Sequence, residues 1–282
     1  MTYIINEDFK VFIKKLLGKG NIEKKHLNNL VSEDNMKLFL QSFTSKTMFP
    51  ARPKYNYEVY EQRGDLTINK FIVNYMYNRF PQLDCSLCVQ IVARLRIKYG
   101  SKEQLAIIAE HLGFWEFILA DATEKESNKK HLLEDVFEAF FGVTEKILDD
   151  TFRIGVGYSV CYTILQDIFD SIYISLEYYD LFDSKTILKE LFDKNNQLKN
   201  KFKTVYLHDN NSKTCTIIVQ KTRNNTDNTS IFTENETISE GRGNIKSIAE
   251  QEASKNAFKY LREKKNIEPV ISEIYKIFCD FP

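Results

Sequence analysis

The stretch His131-Leu-Leu-Glu-Asp-Val-Phe-Glu-Ala-Phe-Phe-Gly142 decides how the rest of this chain is read. Leu132, Leu133, Val136, Phe137, Phe140 and Phe141 recur at three- and four-residue spacing. That spacing puts them on one broad apolar stripe of a helix. Asp135 and Glu138, three apart, fall on the opposite face, with Ala139 and Gly142 beside them. The plain reading of that face is a solvated acidic side. The small residues favour a second reading, in which another helix packs close against the two acids.

A second acidic pair lies upstream. Glu61 and Asp65 are four apart on a helical pattern from about Glu58 to Phe80, which Pro81 stops. Ile68, Ile72 and Met76 continue the same face, so two acids head an apolar stripe. A carboxylate aimed at a core is costly unless it is paired or holds a cation. A boundary pair at a frayed helix start, or partners among Lys and Arg, are the ordinary alternatives. Gly64 between the acids permits close approach. If the two helices faced each other there, Glu61, Asp65, Asp135 and Glu138 would converge. Four hard oxygen ligands suit Mg²⁺, with room for two ions about 3.5–4 Å apart. Periodicity alone leaves that meeting open.

Around these stretches, residues 1–182 read as helix after helix, an all-α region. Phe9, Phe12, Ile13, Leu16 and Leu17 form one stripe, and Leu27 to Phe43 a less regular one. Pro50 and Pro53 mark a loop, and further helices are predicted at about 85–99, 101–110, 112–121, 129–149 and 158–179. The pattern then changes. A short amphipathic helix spans Thr186–Lys194, and strands are predicted at Lys203–Leu207, Thr214–Lys221 and Ile238–Glu240. Glu240-Gly-Arg-Gly243 reads as a turn and Lys246–Arg262 as a helix. The order α-β-β-β-α makes a small α+β domain over 183–265. A last helical pattern, Glu268–Phe278, sits in a C-terminal extension, 266–282, and is expected to pack on its own domain.

Composition bounds the function. The 282 residues are 43% hydrophobic and 28% charged, with 39 Lys+Arg against 39 Asp+Glu. Such a chain can build a core and is neither a disordered acidic tail nor a basic fibre. Residues 186–282 hold 16 Lys/Arg against 13 Asp/Glu, a small basic excess. No apolar run nears the roughly 18–20 residues of a membrane helix, and Met1–Lys19 does not read as a signal peptide. Five scattered cysteines fit reduced, mostly buried thiols. Cys85-x-x-Cys88 has no second pair for zinc and no βαβ context for redox work, so core packing is the expectation. The sequons at Asn224, Asn228 and Asn235 mark a polar loop. A cytoplasmic, intracellular location is the default. The Asn-, Lys- and Ile-heavy usage suggests an A+T-rich genome, such as that of a large DNA virus or a protist.

Glu61-Gln-Arg-Gly-Asp65 resembles the E-x-x-G-D signature of the ribonuclease III family, and 131–142 resembles that family's D-x-x-E motif. The stretch Ser101–Phe114 is similar to its intervening helices. The C-terminal region resembles a double-stranded RNA-binding domain: Thr186-Ile-Leu-Lys-Glu-Leu matches its first helix, and Gly241–Gly243 with Lys246, Ala249, Glu250 and Ala253 its last turn and helix. The resemblance implies a Mg²⁺-dependent endonuclease, with Mn²⁺ as a possible substitute. It would cut double-stranded RNA to short duplexes with 3′ overhangs as a homodimer through the nuclease domain. It makes Glu61, Asp65, Asp135 and Glu138 the catalytic and metal-binding residues, Glu138 the most critical, and Glu58 accessory. It makes Glu190, His208, Lys213, Lys246 and Lys255 the RNA-binding set.

Some positions depart from the family pattern. Gln62 and Arg63 replace two apolar residues, and the first of these usually contributes to the subunit contact; Arg63 either contacts phosphate or pairs with a local acid, and the second is the expectation. The usual Gly-Pro-x-His loop is reduced to His208 near Lys213, and the basic run to Lys246 followed by Ser247. Fewer phosphate contacts mean weaker, less salt-dependent binding. Two other readings compete. A non-catalytic duplex-RNA binder, such as a silencing suppressor acting by sequestration, would have lost at least one of the four acids. An all-α diphosphate enzyme would carry a D-D-x-x-D run, which Asp149-Asp150 does not continue.

Overall fold

The structure is a computed structural model that describes residues 6–52, 54–222, 231–269, 271 and 275. The chain divides into two compact units, Met1–Ile174 and Ser175–Pro282. The first is all-helical: α1 (Glu7–Gly18), α2 (Lys24–Leu30), α3 (Glu33–Ser42), α4 (Glu58–Arg79), α5 (Val89–Tyr99), α6 (Lys102–His111), α7 (Ala122–Ser127), α8 (Lys129–Thr151) and α9 (Val156–Asp170). Polar side chains fix several starts. Asn6, Ser32, Ser101 and Asp121 each accept a backbone N–H from the first turn that follows, supplying orphan donors with partners.

The axis of this unit is α8, with α3, α4, α6 and α9 packed around it. From Leu132 to Leu148 it is buried on nearly every side, as expected of a helix with neighbours all round. Phe140 meets Phe39 and Phe114, Phe137 meets Phe114, and Phe141 packs on both Phe137 and Phe140, with ring centroids 5.1–5.9 Å apart. Burying each such ring stabilises the fold by about 1.5–3 kcal/mol. The α4–α8 crossing depends on two glycines. A Cβ on Gly64 would lie 1.7 Å from the Glu138 carbonyl oxygen, and one on Gly142 would lie 2.0 Å from that of Tyr60. The backbones touch there, so no side chain fits at either position.

Two helical expectations are corrected here. The helix expected at 112–121 is only a four-residue 3₁₀ turn, Phe114–Phe117. Gly113 takes φ +87°, which ends the helix before it. The following residues run extended, Leu119 N–H donating to Phe43 O and Ser45 N–H to Leu119 O. The helix expected at 158–179 stops at Asp170, where the Ser171 hydroxyl donates to Ile168 O and competes with the helical pattern.

The second unit contains α10 (Tyr178–Leu181), α11 (Ser184–Lys194), β1 (Phe202–Asp209), β2 (Thr214–Lys221), β3 (Glu236–Arg242) and α12 (Lys246–Lys265). The strands form an antiparallel sheet of order β1-β2-β3, pairing Phe202 with Lys221 and Cys215 with Gly241. Cys215, Ile217 and Val219, at alternate positions of β2, are fully buried with Leu188, Ala253, Ala257 and Leu261 of the two longer helices. The α-β-β-β-α order holds. The turn expected at 240–243 is shifted, because Gly241 and Arg242 still pair with Cys215 and Thr214 across the ladder. Of the expected helix Glu268–Phe278, Tyr275 packs its ring on Tyr178 and Phe182. Most of the rest of the extension, and the sequons Asn224 and Asn228, lie outside the described residues.

Candidate active site

The α4–α8 crossing brings the two acidic pairs together. Tyr57 is the N-cap residue of α4, and Glu58 and Glu61 fill its first turn, where the positive end of the helix dipole favours carboxylates. Glu61 and Asp65 are half-buried. Asp135 and Glu138 are only 3% and 7% exposed, so the solvated acidic side does not exist: α4 lies across it.

Burial and mutual repulsion set the charges. Glu138 is pushed up to about 9, first by burial and then by Asp65, Glu134, Glu61 and Asp135. Glu61 is pushed up to about 7 by burial, Asp135 and Glu134. Burial also raises Asp135, against the Tyr57 hydroxyl and His131, which favour its charged form. In each of the three, repulsion from neighbouring carboxylates adds to the effect of burial.

The four acids are not held alike. Tyr57 Oη donates to Asp135 Oδ2 at 2.7 Å, and His131 Nδ1 lies 2.8 Å from Asp135 Oδ1. Asp65 Oδ1 accepts from Asn69 Nδ2 at 2.6 Å, and Arg96 Nη1 donates to Asn69 Oδ1 at 2.9 Å. Among the described residues nothing hydrogen-bonds to or ion-pairs with the Glu61 and Glu138 carboxylates. Glu58 stands aside, exposed and paired with Lys46 at 2.9 Å.

Sequence reasoning missed Tyr57, His131, Glu134 and Lys102. Ligand atoms of His131, Glu134 and Asp135 lie within 4.8 Å of one another and could in principle hold a metal. However, Lys102 Nζ already sits 2.8 Å from Glu134 and 2.9 Å from His131 Nδ1. A cation occupies that edge of the cluster, whereas Glu61 and Glu138 have none. Carboxylate oxygens are the ligands a hard divalent ion takes, and two of the four here, on Glu61 and Glu138, have no protein partner among the described residues. Among the described residues His131, Glu134 and Asp135 are the one group whose ligand atoms lie within 4.8 Å of one another; Glu61, Asp65 and Glu138 meet Asp135 at the same crossing but not at that spacing.

Among the described residues Arg63 forms no ion pair with the local acid expected for it. It is exposed in a groove that also holds Glu145, Asp149 and Asp150, with Leu66, Lys70, Lys146 and Ile154. In the second unit, His208 Nε2 lies 3.1 Å from Glu250 Oε1, and Lys185 Nζ 2.6 Å from Glu250 Oε2. Lys213, at φ +54° in the β1–β2 turn, accepts Gly243 N–H on its carbonyl. This contact sets the turn beside the start of α12, where Lys246 is exposed. Glu190 is tied to Lys194 at 2.6 Å and to the Tyr178 hydroxyl at 3.2 Å, and Lys255 lines a separate cleft with Tyr179 and Arg262.

A model of the ribonuclease III domain matches residues 58–144, the span from the first turn of α4 into α8. The putative ribonuclease 3 of Invertebrate iridescent virus 6 is 36% identical over 284 residues, covering 96% of this chain and 93% of that protein. The chain belongs to the ribonuclease III family. It is an endoribonuclease, a hydrolase. The putative ribonuclease 3 of Frog virus 3 is 42% identical over 184 residues, 64% of this chain and 48% of that protein. The nuclease domain of the Campylobacter jejuni ribonuclease III matches in structure with TM-score 0.42 and 23% identity, covering 56% of this chain and 96% of that one. Both acidic pairs of this chain lie within residues 58–144, the span that matches the family model. No described helix is long and apolar enough to cross a membrane.

Proposed function

We propose that this ribonuclease III hydrolyses phosphodiester bonds of double-stranded RNA, with Mg²⁺ held by Glu61, Asp65, Asp135 and Glu138. The observation that carries the reading is the meeting of the two acidic pairs at the α4–α8 crossing, with Glu138 buried, without a partner among the described residues and pushed furthest from its ordinary range. Bound there, Mg²⁺ would activate water and neutralise charge on the attacked phosphate and the leaving oxygen. Mn²⁺, another oxygen-seeking dication, would substitute. The Tyr57 hydroxyl and His131 fix the orientation of Asp135, Asn69 fixes Asp65, and Glu61 and Glu138 would release their protons when the ion binds. Glu58 is accessory, one turn before Glu61.

Residues 1–182 act as the nuclease domain and 183–265 as a double-stranded RNA-binding domain, followed by the extension 266–282. The exposed Lys213 turn and Lys246 at one end of the sheet support the second assignment. Duplex RNA is read there by phosphates and 2′-hydroxyls, not by base edges. His208 joins this end through Glu250, while Glu190 and Lys255 would contact RNA from other faces. The enzyme works as a homodimer through its nuclease domain, each centre cutting one strand to leave short duplexes with 3′ overhangs. The exposed Leu66 and Ile154 beside Arg63 support a contact surface there. The site of action is intracellular.

The test is incubation of a long, perfectly paired RNA with purified protein in Mg²⁺, in Ca²⁺ and with chelator, alongside Glu138→Ala. Short duplexes with 3′ overhangs in Mg²⁺ alone, absent with the variant, are expected. Intact RNA that still shifts in a gel would make the protein a duplex binder without catalysis.

A further inference from the structure

Cys85 and Cys88 lie apart from the nuclease site, and one of them does not serve the core. Cys88 is buried, as are Cys161 and Cys215, but Cys85 is exposed. A thiol open to water gains nothing from packing, so the expectation of core packing fails for Cys85. Cys85 is the N-cap residue of the 3₁₀ turn Ser86–Cys88, which runs directly into α5. Its backbone is extended, at φ −149° and ψ 158°, so its side chain stands outside the helical start. Cys88 N–H donates to Cys85 O at 3.0 Å, closing the turn and setting the two sulfurs 3.2 Å apart. Leu87 and Val89, 69% and 55% exposed, give the reachable thiol an apolar rim.

The two thiols differ chemically. The Cys88 S–H and the backbone N–H groups of Cys88 and Leu87 stabilise the Cys85 thiolate and hold this thiol below its usual range. Burial pushes Cys88 up to about 11. Among the described residues no third His, Cys, Asp or Glu ligand atom joins the pair, so the geometry does not suit metal chelation. It suits exchange chemistry, in which an exposed thiol with thiolate character attacks and a shielded thiol in contact with it follows.

We infer that Cys85 and Cys88 form a dithiol site that reduces disulfides, Cys85 attacking and Cys88 resolving. The Cys85 thiolate, having lost its proton to water, bonds to one sulfur of a low-molecular-weight disulfide. The S–S bond of that disulfide breaks, and the first thiolate leaves and takes up a proton. Cys88 then gives up its proton and attacks the Cys85 sulfur, expelling the second thiolate, which is protonated in turn. Two protein thiols are oxidised by two electrons to a Cys85–Cys88 disulfide, and the disulfide is reduced to two thiols. In a reducing compartment such a bond is transient, which is the usual form of an intracellular disulfide.

The test exposes the native full-length protein to oxidised glutathione, followed by acid quenching and peptide mass mapping, which separates Cys279 from the pair. The wild type is expected to lose both thiols together and to show a Cys85–Cys88 disulfide without a lasting adduct. Cys88→Ser should trap glutathione on Cys85, at least about tenfold faster than Cys85→Ser accumulates it on Cys88. A wild-type protein whose pair stays reduced while the urea-denatured chain oxidises would overturn the inference. So would a glutathione adduct on Cys85 that Cys88 never displaces. The wild-type map decides even if a variant fails to fold.

Discussion

At the residue scale the decisive group is Glu138. Its native carboxyl is raised from the ordinary 4.5 to about 9 by burial and by the acids around it. A raised native value means that folding favours the protonated form. Ionisation therefore costs stability progressively as pH rises from the unfolded value through the native one. Thermal unfolding in chelator should show stability falling between about pH 5 and about pH 9. Glu138→Gln should flatten that decline and raise the melting temperature at the upper end, because the uncharged amide needs no compensating cation. A variant with the wild-type slope would show that the charge is solvated. The acids themselves were legible, since period and spacing place Glu61 with Asp65 and Asp135 with Glu138. Tyr57 and Lys102 were not. They reach the cluster from other elements, which no local pattern marks, whereas His131 stands four residues before Asp135 on the same helix and Glu134 beside it, a spacing the sequence does carry.

At the scale of elements, two glycines set the distance between α4 and α8. Gly64→Ala or Gly142→Ala would place a methyl group inside a backbone carbonyl's contact distance. Each should cost about 3 kcal/mol by denaturant titration, since overpacking at a backbone contact cannot be relieved by rotating a side chain. Gly18→Ala, in an exposed helical position with open space around it, should instead stabilise by about 0.5–1 kcal/mol. Equal effects at the three sites would mean that the α4 and α8 backbones do not touch at the two glycines. The role of Gly64 was readable because it sits between two acids on an otherwise apolar face. The turn at 114–117 was not readable, because Phe114 and Phe117 fall at helical spacing while the break depends on the φ of Gly113. The same limit applies to Cys85. A C-x-x-C pattern does not say which thiol faces water; the extended N-cap backbone does.

At the scale of the whole molecule, a change of period from 3.6 to 2 near residue 200 marks the sheet, but the two units divide earlier, before α10 and α11, where helical spacing still runs on. The balanced charge of 39 against 39 hides the basic positions of the second unit. Lys246→Ala and Lys255→Ala, in full-length protein already carrying Glu138→Gln, test the RNA-binding assignment. Each should weaken duplex binding without regard to sequence and reduce the slope of log affinity against log salt by about one. An unchanged slope would remove that lysine from the interface. The most direct test of the acidic cluster is anomalous diffraction from crystals equilibrated with Mn²⁺. Metal density bounded by Glu61, Asp65, Asp135 and Glu138 is expected, with Lys102 still on Glu134. Density at His131 and Glu134 with Lys102 displaced, or none in crystals of protein that cleaves RNA in the same Mn²⁺, would contradict the assignment of those four carboxylates as the metal site.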